Sequence, residues 1–502
     1  MTEQVDGTGT PEPRPLEAET LGLGAPPPAP GRRRGTGTIA AVVAAVLLVV
    51  GAGVGLAAYR ALSGGGTQPE KYAPASSFAF AKIDLDPSAS QKLAIRRFAE
   101  RFPSSPTNNG SGDLRDQFLR SAFGDSRDID YDRDVKPWLG DRAGVAGFVD
   151  TEGKPQAEVI LQYTDRDKAR RGLEKMASGS RGSHYSLQEG YAVLAETQAA
   201  VDQAVRQAAT SNLGADARYR KDVDGLTGSQ VITAWVDIER SVSAGQRNAA
   251  GRSKLPPGLA EAAKGRLALG VHAGDDYVEV EGATYDTSTP ASSGSATDML
   301  KKLPAGTLAA VSIGDAGKAI TSGFDRLRAT PGFDRIQPTL DSIQQQTGLR
   351  LPGDLATLLG RSAVFSLGSL PRAGAEPLVG LRSRPTDVGA GRKIAEQIAA
   401  LARSSGGVTV ETRQAGDDIV LAVGAGYAGR LAEDGRLGDA KLFRSAMGDL
   451  PAKVGFAAYA DLGSLVRDVR RDSADFSHLA GFGVSTWQDG KSQRLRIRLV
   501  AR

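Results

Sequence analysis

The sequence predicts an α+β protein: two tandem homologous units of mainly antiparallel sheet with helices on one face, preceded by a single transmembrane helix and a disordered tail. Three observations predict it. Six sequence blocks recur in the same order roughly 220 residues downstream, the mark of an internal duplication. Within the blocks, apolar and polar residues alternate with period two, as in Arg494-Leu-Arg-Ile-Arg-Leu-Val500, where Leu495, Ile497 and Leu499 share one side and the arginines the other. One dry and one wet face belong to an antiparallel sheet. Finally, Ile39 to Tyr59 is the one uninterrupted apolar run in 502 residues.

Residues 1–38 carry Pro11, Pro13, Pro15 and the run Pro26 to Pro30, with almost no large apolar side chains. Such a segment cannot bury enough surface to offset chain entropy and is expected to be a disordered spacer, with a polyproline-II ligand as the alternative. Residues 39–59 hold 21 uncharged residues, roughly 30 Å of helix and the thickness of a bilayer core. Arg32, Arg33 and Arg34 precede the run and only Arg60 follows it, so the tail is expected in the cytoplasm and the rest outside. The run exceeds the hydrophobic region of a cleaved signal peptide, which makes it an uncleaved single-pass signal anchor in the cell membrane. Gly51 and Gly55 form GxxxG, a spacing through which two such helices pack and self-associate.

A juxtamembrane linker, 60–73, leads to the first unit, 74–286; a Ser/Thr-rich linker, 287–301, leads to the second, 302–502. Pro74-Ala-Ser-Ser-Phe-Ala-Phe-Ala-Lys-Ile-Asp84 matches Pro304-Ala-Gly-Thr-Leu-Ala-Ala-Val-Ser-Ile-Gly314. Asp134-Val-Lys-Pro-Trp-Leu-Gly140 matches Asp354-Leu-Ala-Thr-Leu-Leu-Gly360, and the stretch from Pro155 matches that from Ala375. Tyr191-Ala-Val-Leu-Ala195 matches Ile419-Val-Leu-Ala-Val423. The segment from Ala217 through TAWVDIERSV matches that from Ala440 through AAYADLGSLV. Two terminal hairpins, turning at Gly274-Asp275-Asp276 and Gln488-Asp489-Gly490, complete the set. Each unit reads β–α–β–β–α–β–α–β–β–β with extra helices, and helices such as 165–176 and 391–401 lay an Ala/Leu/Ile/Met stripe on the dry face.

With these blocks in view, the order PASSFAFAKIDLDPS, DIDYDRDVKPWLGDRAGVAGF, YTDRDKARRGLEKM, EGYAVLAETQAAVDQAV and TAWVDIERSV resembles a bacterial, mostly actinobacterial, family of membrane-anchored proteins. It is catalogued only as a domain of unknown function, number three-three-five-two. The resemblance covers most of 72–502. It implies a fold and a location, and brings no catalytic residues.

Composition narrows the chemistry. Without cysteine there are no disulfides, thiolate metal sites or Cys nucleophiles. With 62 Lys and Arg against 58 Asp and Glu, and no basic run with interleaved aromatics, no nucleic-acid partner is expected.

The duplication serves as a control, because a feature in one half alone is not required by the scaffold. Asp128, Asp130 and Asp132 alternate like the first ligands of a calcium loop and are the metal candidates. Arg133 and Leu139 stand where that loop needs Gly and Glu. Asp134 recurs as Asp354, so both are expected to cap the short helix that follows. Gly424-Ala-Gly426-Tyr-Ala-Gly429 spells GxGxxG, but the first half has no glycine there and no acidic residue ends a second strand, so a tight strand-to-helix turn is expected, with no cofactor. His184, His272 and His478 show no ligand spacing, and Trp138, Trp235 and Trp487 fall in repeated structural blocks.

No catalytic constellation is identifiable, so the expected function is a membrane-anchored extracytoplasmic binding or scaffold protein. Its partners would be the lipid bilayer through residues 39–59 and an envelope protein or lipid. The alternatives are a carrier of envelope lipid or precursor, and an envelope hydrolase.

Overall fold

A computed structural model describes residues 67–84, 88–102, 129–178, 183–248, 264–287, 294–330, 332–371, 376–404, 408–469 and 478–502. The tail, the apolar run 39–59 with its Gly51 and Gly55, and Asp128 lie outside them. No helix among the described residues is long and apolar enough to cross a membrane.

The apolar alternation of the first half produces eight strands: β1 (Ala79–Asp84), β2 (Leu139–Val149), β3 (Pro155–Tyr163), β4 (His184–Leu187), β5 (Tyr191–Ala195), β6 (Ile232–Asp237), β7 (Arg266–Ala273) and β8 (Tyr277–Tyr285). The second half repeats them: β9 (Ala309–Gly314), β10 (Ser362–Ser369), β11 (Leu378–Arg384), β12 (Val410–Ala415), β13 (Asp418–Val423), β14 (Val454–Ala460), β15 (Leu479–Asp489) and β16 (Ser492–Ala501). The spatial order is β4-β5-β3-β2-β1-β6-β7-β8 in the first unit and β12-β13-β11-β10-β9-β14-β15-β16 in the second, the same order twice. The pairings between these strands are antiparallel. The edge strands β4 and β12 are absent from the sequence reading, because His184-Tyr-Ser-Leu187 and Val410-Glu-Thr-Arg-Gln-Ala415 hold too few apolar residues to show an alternation.

The two units share one 16-stranded sheet, joined where their last strands pair. Lys82, Thr233, Gly270 and Glu281 are successive cross-strand partners in the first unit, and Ser312, Ala457, Ser485 and Arg496 in the second. Glu281 pairs with Arg496, so the two rows meet at matching positions. The junction is isologous, as in a two-fold dimer, although both partners belong to one chain.

Register also corrects one repeat block. Val193 lies under the same face as Val420, and the sheet aligns Tyr191 with Asp418 instead of Ile419. A slip of one residue would have turned every side chain of the strand to the other face.

Helices cover both faces. On one face Phe80, Ile160, Val193 and Trp235 pack beneath α3 (Gln198–Thr210) and α4 (Ala217–Asp224). The second unit does the same beneath α6 (Thr297–Lys301), α11 (Tyr427–Ala432) and α12 (Lys441–Met447). On the opposite face Leu161 and Leu194 pack beneath α2 (Arg166–Ser178), while Ile419 and Leu421 pack beneath α9 (Gly353–Leu359) and α10 (Val388–Ser404). The remaining helices are α1 (Ala89–Ala99), α5 (Ile238–Asn248), α7 (Ala316–Arg328), α8 (Gln337–Thr347) and α13 (Leu462–Val469). The expectation of helices on one face is thereby corrected. Strands β5 and β13 bury consecutive residues, which requires cover on both sides.

The arginine side of β16 is not its wet side either. Arg494, Arg496 and Arg498 keep only 14–19 % side-chain exposure. Arg498 donates to Glu279 Oε2, Arg496 stands 3.4 Å from the same carboxylate, and Arg494 lies 3.6 Å from Glu281. Thr227 completes the cover of Glu281 through its N–H at 2.8 Å and its hydroxyl at 2.6 Å.

The expected linkers are shorter than their compositions suggest. Tyr72 and Ala73 are buried in the first core, and Met299 and Leu300 of α6 in the second. Equivalent hydrogen bonds fasten the chain where it enters each unit, Leu213 N–H to the Ala73 carbonyl at 2.8 Å and Leu437 N–H to the Leu303 carbonyl at 2.9 Å.

Candidate functional site: a charged cleft in the first unit

The residues singled out in the sequence fall into structural roles. Asp130 accepts the Arg133 N–H at 2.9 Å and opens the five-residue helical turn Tyr131–Val135, while Asp132 is exposed with Lys136 at 3.8 Å. Asp134 and Asp354 do share a role, but it is not a helix cap. Each carboxylate accepts the backbone N–H four residues earlier, of Asp130 at 2.9 Å and of Arg350 at 2.7 Å. Each backbone N–H in return donates to that residue's carbonyl at 2.8 Å. Asp134 is further held by Arg133 and by Lys175 at 2.6 Å, hydrogen bonds that pull its carboxyl well below the usual range. Among the described residues no group of three or more His, Asp or Glu is placed to hold a metal ion.

Gly424 and Gly426 adopt left-handed φ of +93° and +68° at the turn from β13 into the six-residue α11. A Cβ on Gly424 would lie 2.5 Å from Leu378, so close packing accounts for that glycine. The histidines are scattered: His184 is exposed on β4, His478 stacks near Phe102, and half-buried His272 stands 3.8 Å from Glu279. Burial holds the His272 imidazole below its ordinary range. Trp138 and Trp235 are core residues, and Trp487 lies under the Arg496 guanidinium.

A different set of residues is gathered by the fold. In β1, Phe80, Lys82 and Asp84 alternate onto the face covered by α4. Phe80 fills the core, whereas Lys82 and Asp84 run out beneath the 3-10 turn Pro69–Lys71. Lys82 Nζ donates to Glu70 Oε1 at 2.6 Å, with the two side chains only 22 % and 12 % exposed. This pair stands between two adjoining depressions of about 380 and 500 Å³, which share Gln68, Lys82, Val223 and Asp224. Arg142 and Gln230 line the first depression; Asn212, Tyr219 and Arg220 line the second. Burial pushes the Asp84 carboxyl up, against the pull of Arg142 and Lys82.

Tyr219 is 2 % exposed and packs edge-on against Phe80 and Trp235. Its hydroxyl, Glu70 Oε2 and Gln230 Oε1 are buried polar atoms without a hydrogen-bond partner in the chain. Gln230 folds over Gly270, where a Cβ would lie 2.3 Å from its Oε1.

The second unit shows that the scaffold needs none of this. Leu300, Ser312, Gly314 and Ser362 stand where the first unit has Glu70, Lys82, Asp84 and Arg142. The Ser312 hydroxyl closes on the Ala296 carbonyl at 2.6 Å, and α6 fills the space. Phe443 against Tyr459 replaces Tyr219 against Trp235, one residue off the sequence match of Ala217 with Ala440, as the equivalent Leu213 and Leu437 require. The sequence reading did not select these residues, although one signal was present. Lys82 and Asp84 share the period-two face of Phe80, which places charges on the core side of a strand.

A family model described as Protein of unknown function (DUF3352) matches residues 38–186 and 177–454, the second region starting midway through the first unit, before β4, and running to the start of β14 in the second. No curated protein matches the chain. Two solved structures are similar. Crystal form III of TP0453 is 9 % identical with a TM-score of 0.22, covering 45 % of this chain and 82 % of that one. Crystal form I of TP0453 is 10 % identical with a TM-score of 0.14, covering 74 % of this chain and 97 % of that one. At these scores the likeness carries no argument about function.

Proposed function

We propose that this chain, which belongs to the family described as Protein of unknown function (DUF3352), is an extracytoplasmic binding module anchored in the membrane by residues 39–59. The observation that carries the reading is the first unit's cleft. It buries charge and leaves buried polar atoms unpaired, where the second unit folds with Leu300, Ser312 and Phe443. Burying unpaired polar groups costs of order 1–3 kcal/mol each, a cost that a bound ligand offsets.

The cleft opens at Gln68, nine residues beyond Tyr59, and nine residues reach at most roughly 30 Å, which bounds its distance from the proposed anchor. Its open, polar character supports a hydrophilic ligand over an enclosed lipid, and so favours binding over the carrier alternative. The scattered histidines and the dispersal of Asp130 and Asp132 into structural contacts give the hydrolase alternative no support. Two measurements test the proposal. A phosphatase that is active only outside the membrane, fused after Arg502, is expected to be active, and a silent fusion overturns the orientation. Mass spectrometry of the protein released from its anchor is expected to find no stoichiometric lipid, and a bound lipid returns the carrier reading.

A further inference from the structure

We infer that the first unit's cleft binds a neutral, polyhydroxylated ligand of the saccharide class through Glu70, Lys82, Tyr219 and Gln230. The inference rests on the reading of the cleft as a ligand site and is independent of where the protein is located.

The chemistry of the unpaired atoms carries it. Glu70 Oε2 and Gln230 Oε1 are acceptors awaiting donors, and the Tyr219 hydroxyl can both donate and accept. They are three of the twelve such buried atoms among the described residues, Glu70 and Tyr219 in the walls of one depression and Gln230 in those of the adjoining one. Beside them stand the donors Lys82 and Asn212. A ligand that satisfies both sets must present donors and acceptors at every position. A hydroxyl does so, giving one proton and offering two lone pairs.

The charges of the lining nearly cancel and so select no ion: Lys71, Lys82, Arg142 and Arg220 stand against Glu70, Asp84 and Asp224, with Lys82 already neutralised by Glu70 at 2.6 Å. A phosphate or carboxylate entering there would meet buried acceptors with nothing to give them. A simple cation would satisfy Glu70 Oε2 and leave Lys82 and Arg142 repelling it. The combined volume of the two depressions, about 380 and 500 Å³, is on the scale of ordinary small-ligand clefts and admits more than one sugar ring.

The test is saturation-transfer NMR on the full chain in a non-glycosidic polyoxyethylene detergent, with maltotetraose, chitotetraose, inorganic phosphate and choline as probes. One of the two oligosaccharides is expected to receive saturation, and phosphate and choline none. Tyr219→Phe removes one unpaired hydroxyl from an otherwise unchanged core. It is expected to weaken oligosaccharide binding about five-fold while leaving the melting temperature equal or higher, the opposite of a structural role. The double variant Glu70→Leu with Lys82→Ser installs the second unit's residues and is expected to abolish the signal in a protein that still melts cooperatively. If phosphate or choline binds instead and is lost in these variants, the ligand class is overturned while the cleft stands as a site. If no probe binds, or binding survives both variants, the site itself is overturned.

Discussion

Glu158 stands on β3 with no exposure, and neither carboxylate oxygen has a hydrogen-bond partner in the chain. Desolvation alone pushes its carboxyl well above the usual range, so the folded protein keeps a proton there that the unfolded chain gives up. A raised acid contributes stability that is fully present below the ordinary carboxyl range and is lost as pH rises through the folded value. Glu158→Gln is therefore expected to match the native protein in melting temperature at about pH 4 and to exceed it at about pH 8, by roughly 1.4 kcal/mol for each pH unit of difference in proton binding. Equal melting curves at both pH values would sink this reading. At the same scale, Gly483 of β15 lies under α12, where a Cβ would stand 2.1 Å from the Ala446 carbonyl oxygen and 2.7 Å from its carbon. The clash is with helix backbone, which cannot rotate away. Gly483→Ala is expected to cost about 1–3 kcal/mol in denaturant unfolding.

The decisive element is the β8–β16 pair. Its ladder is set by backbone hydrogen bonding, but its charge is asymmetric: glutamates at 279 and 281 on one strand, arginines at 494, 496 and 498 on the other. Matched positions of duplicated strands would place like residues opposite each other at the axis. Here Glu281 meets Arg496, which turns a self-pairing edge into a complementary one. Arg498→Met is expected to destabilise by about 3 kcal/mol, because Glu279 loses its closest partner in a nearly closed site. Adding Glu279→Leu should recover most of that loss in a double-mutant cycle; a strictly additive result would mean that the two side chains do not act on each other. The alternation of β16 was legible in the sequence, while the burial of its polar side was not. Period two says which residues share a face, and only the packing of α4 and α12 over that face decides whether it is wet.

Across the whole molecule, one sheet running through both units couples their unfolding. Scanning calorimetry of the folded region is expected to show a single transition. In Arg498→Met it is expected to separate into two, as the junction fails before the eight-stranded halves do. Two transitions in the native protein would show that the shared sheet does not couple the halves. The long, free edges that duplication would have left at β8 and β16 are consumed by this pairing. The sheet then ends on the short strands β4 and β12, an arrangement that limits open-edge association.

The sequence by itself determined the duplication, the antiparallel strands and the restriction of chemistry that follows from having no cysteine. Each of these depends on order and local period, which a chain carries without folding. It also marked Asp134 and Asp354 as one structural device, because the same residue recurred in the same block, although the hydrogen bond proved to run back four residues instead of capping a helix. Only the tertiary structure decided that the two units share a sheet, that helices cover both its faces, and that Glu70, Lys82, Tyr219 and Gln230, from four separate segments, surround one cleft. The physical reason is that a cleft is made by the meeting of distant segments and by the polar groups that the meeting leaves unpaired, and neither is a property of any single stretch of chain.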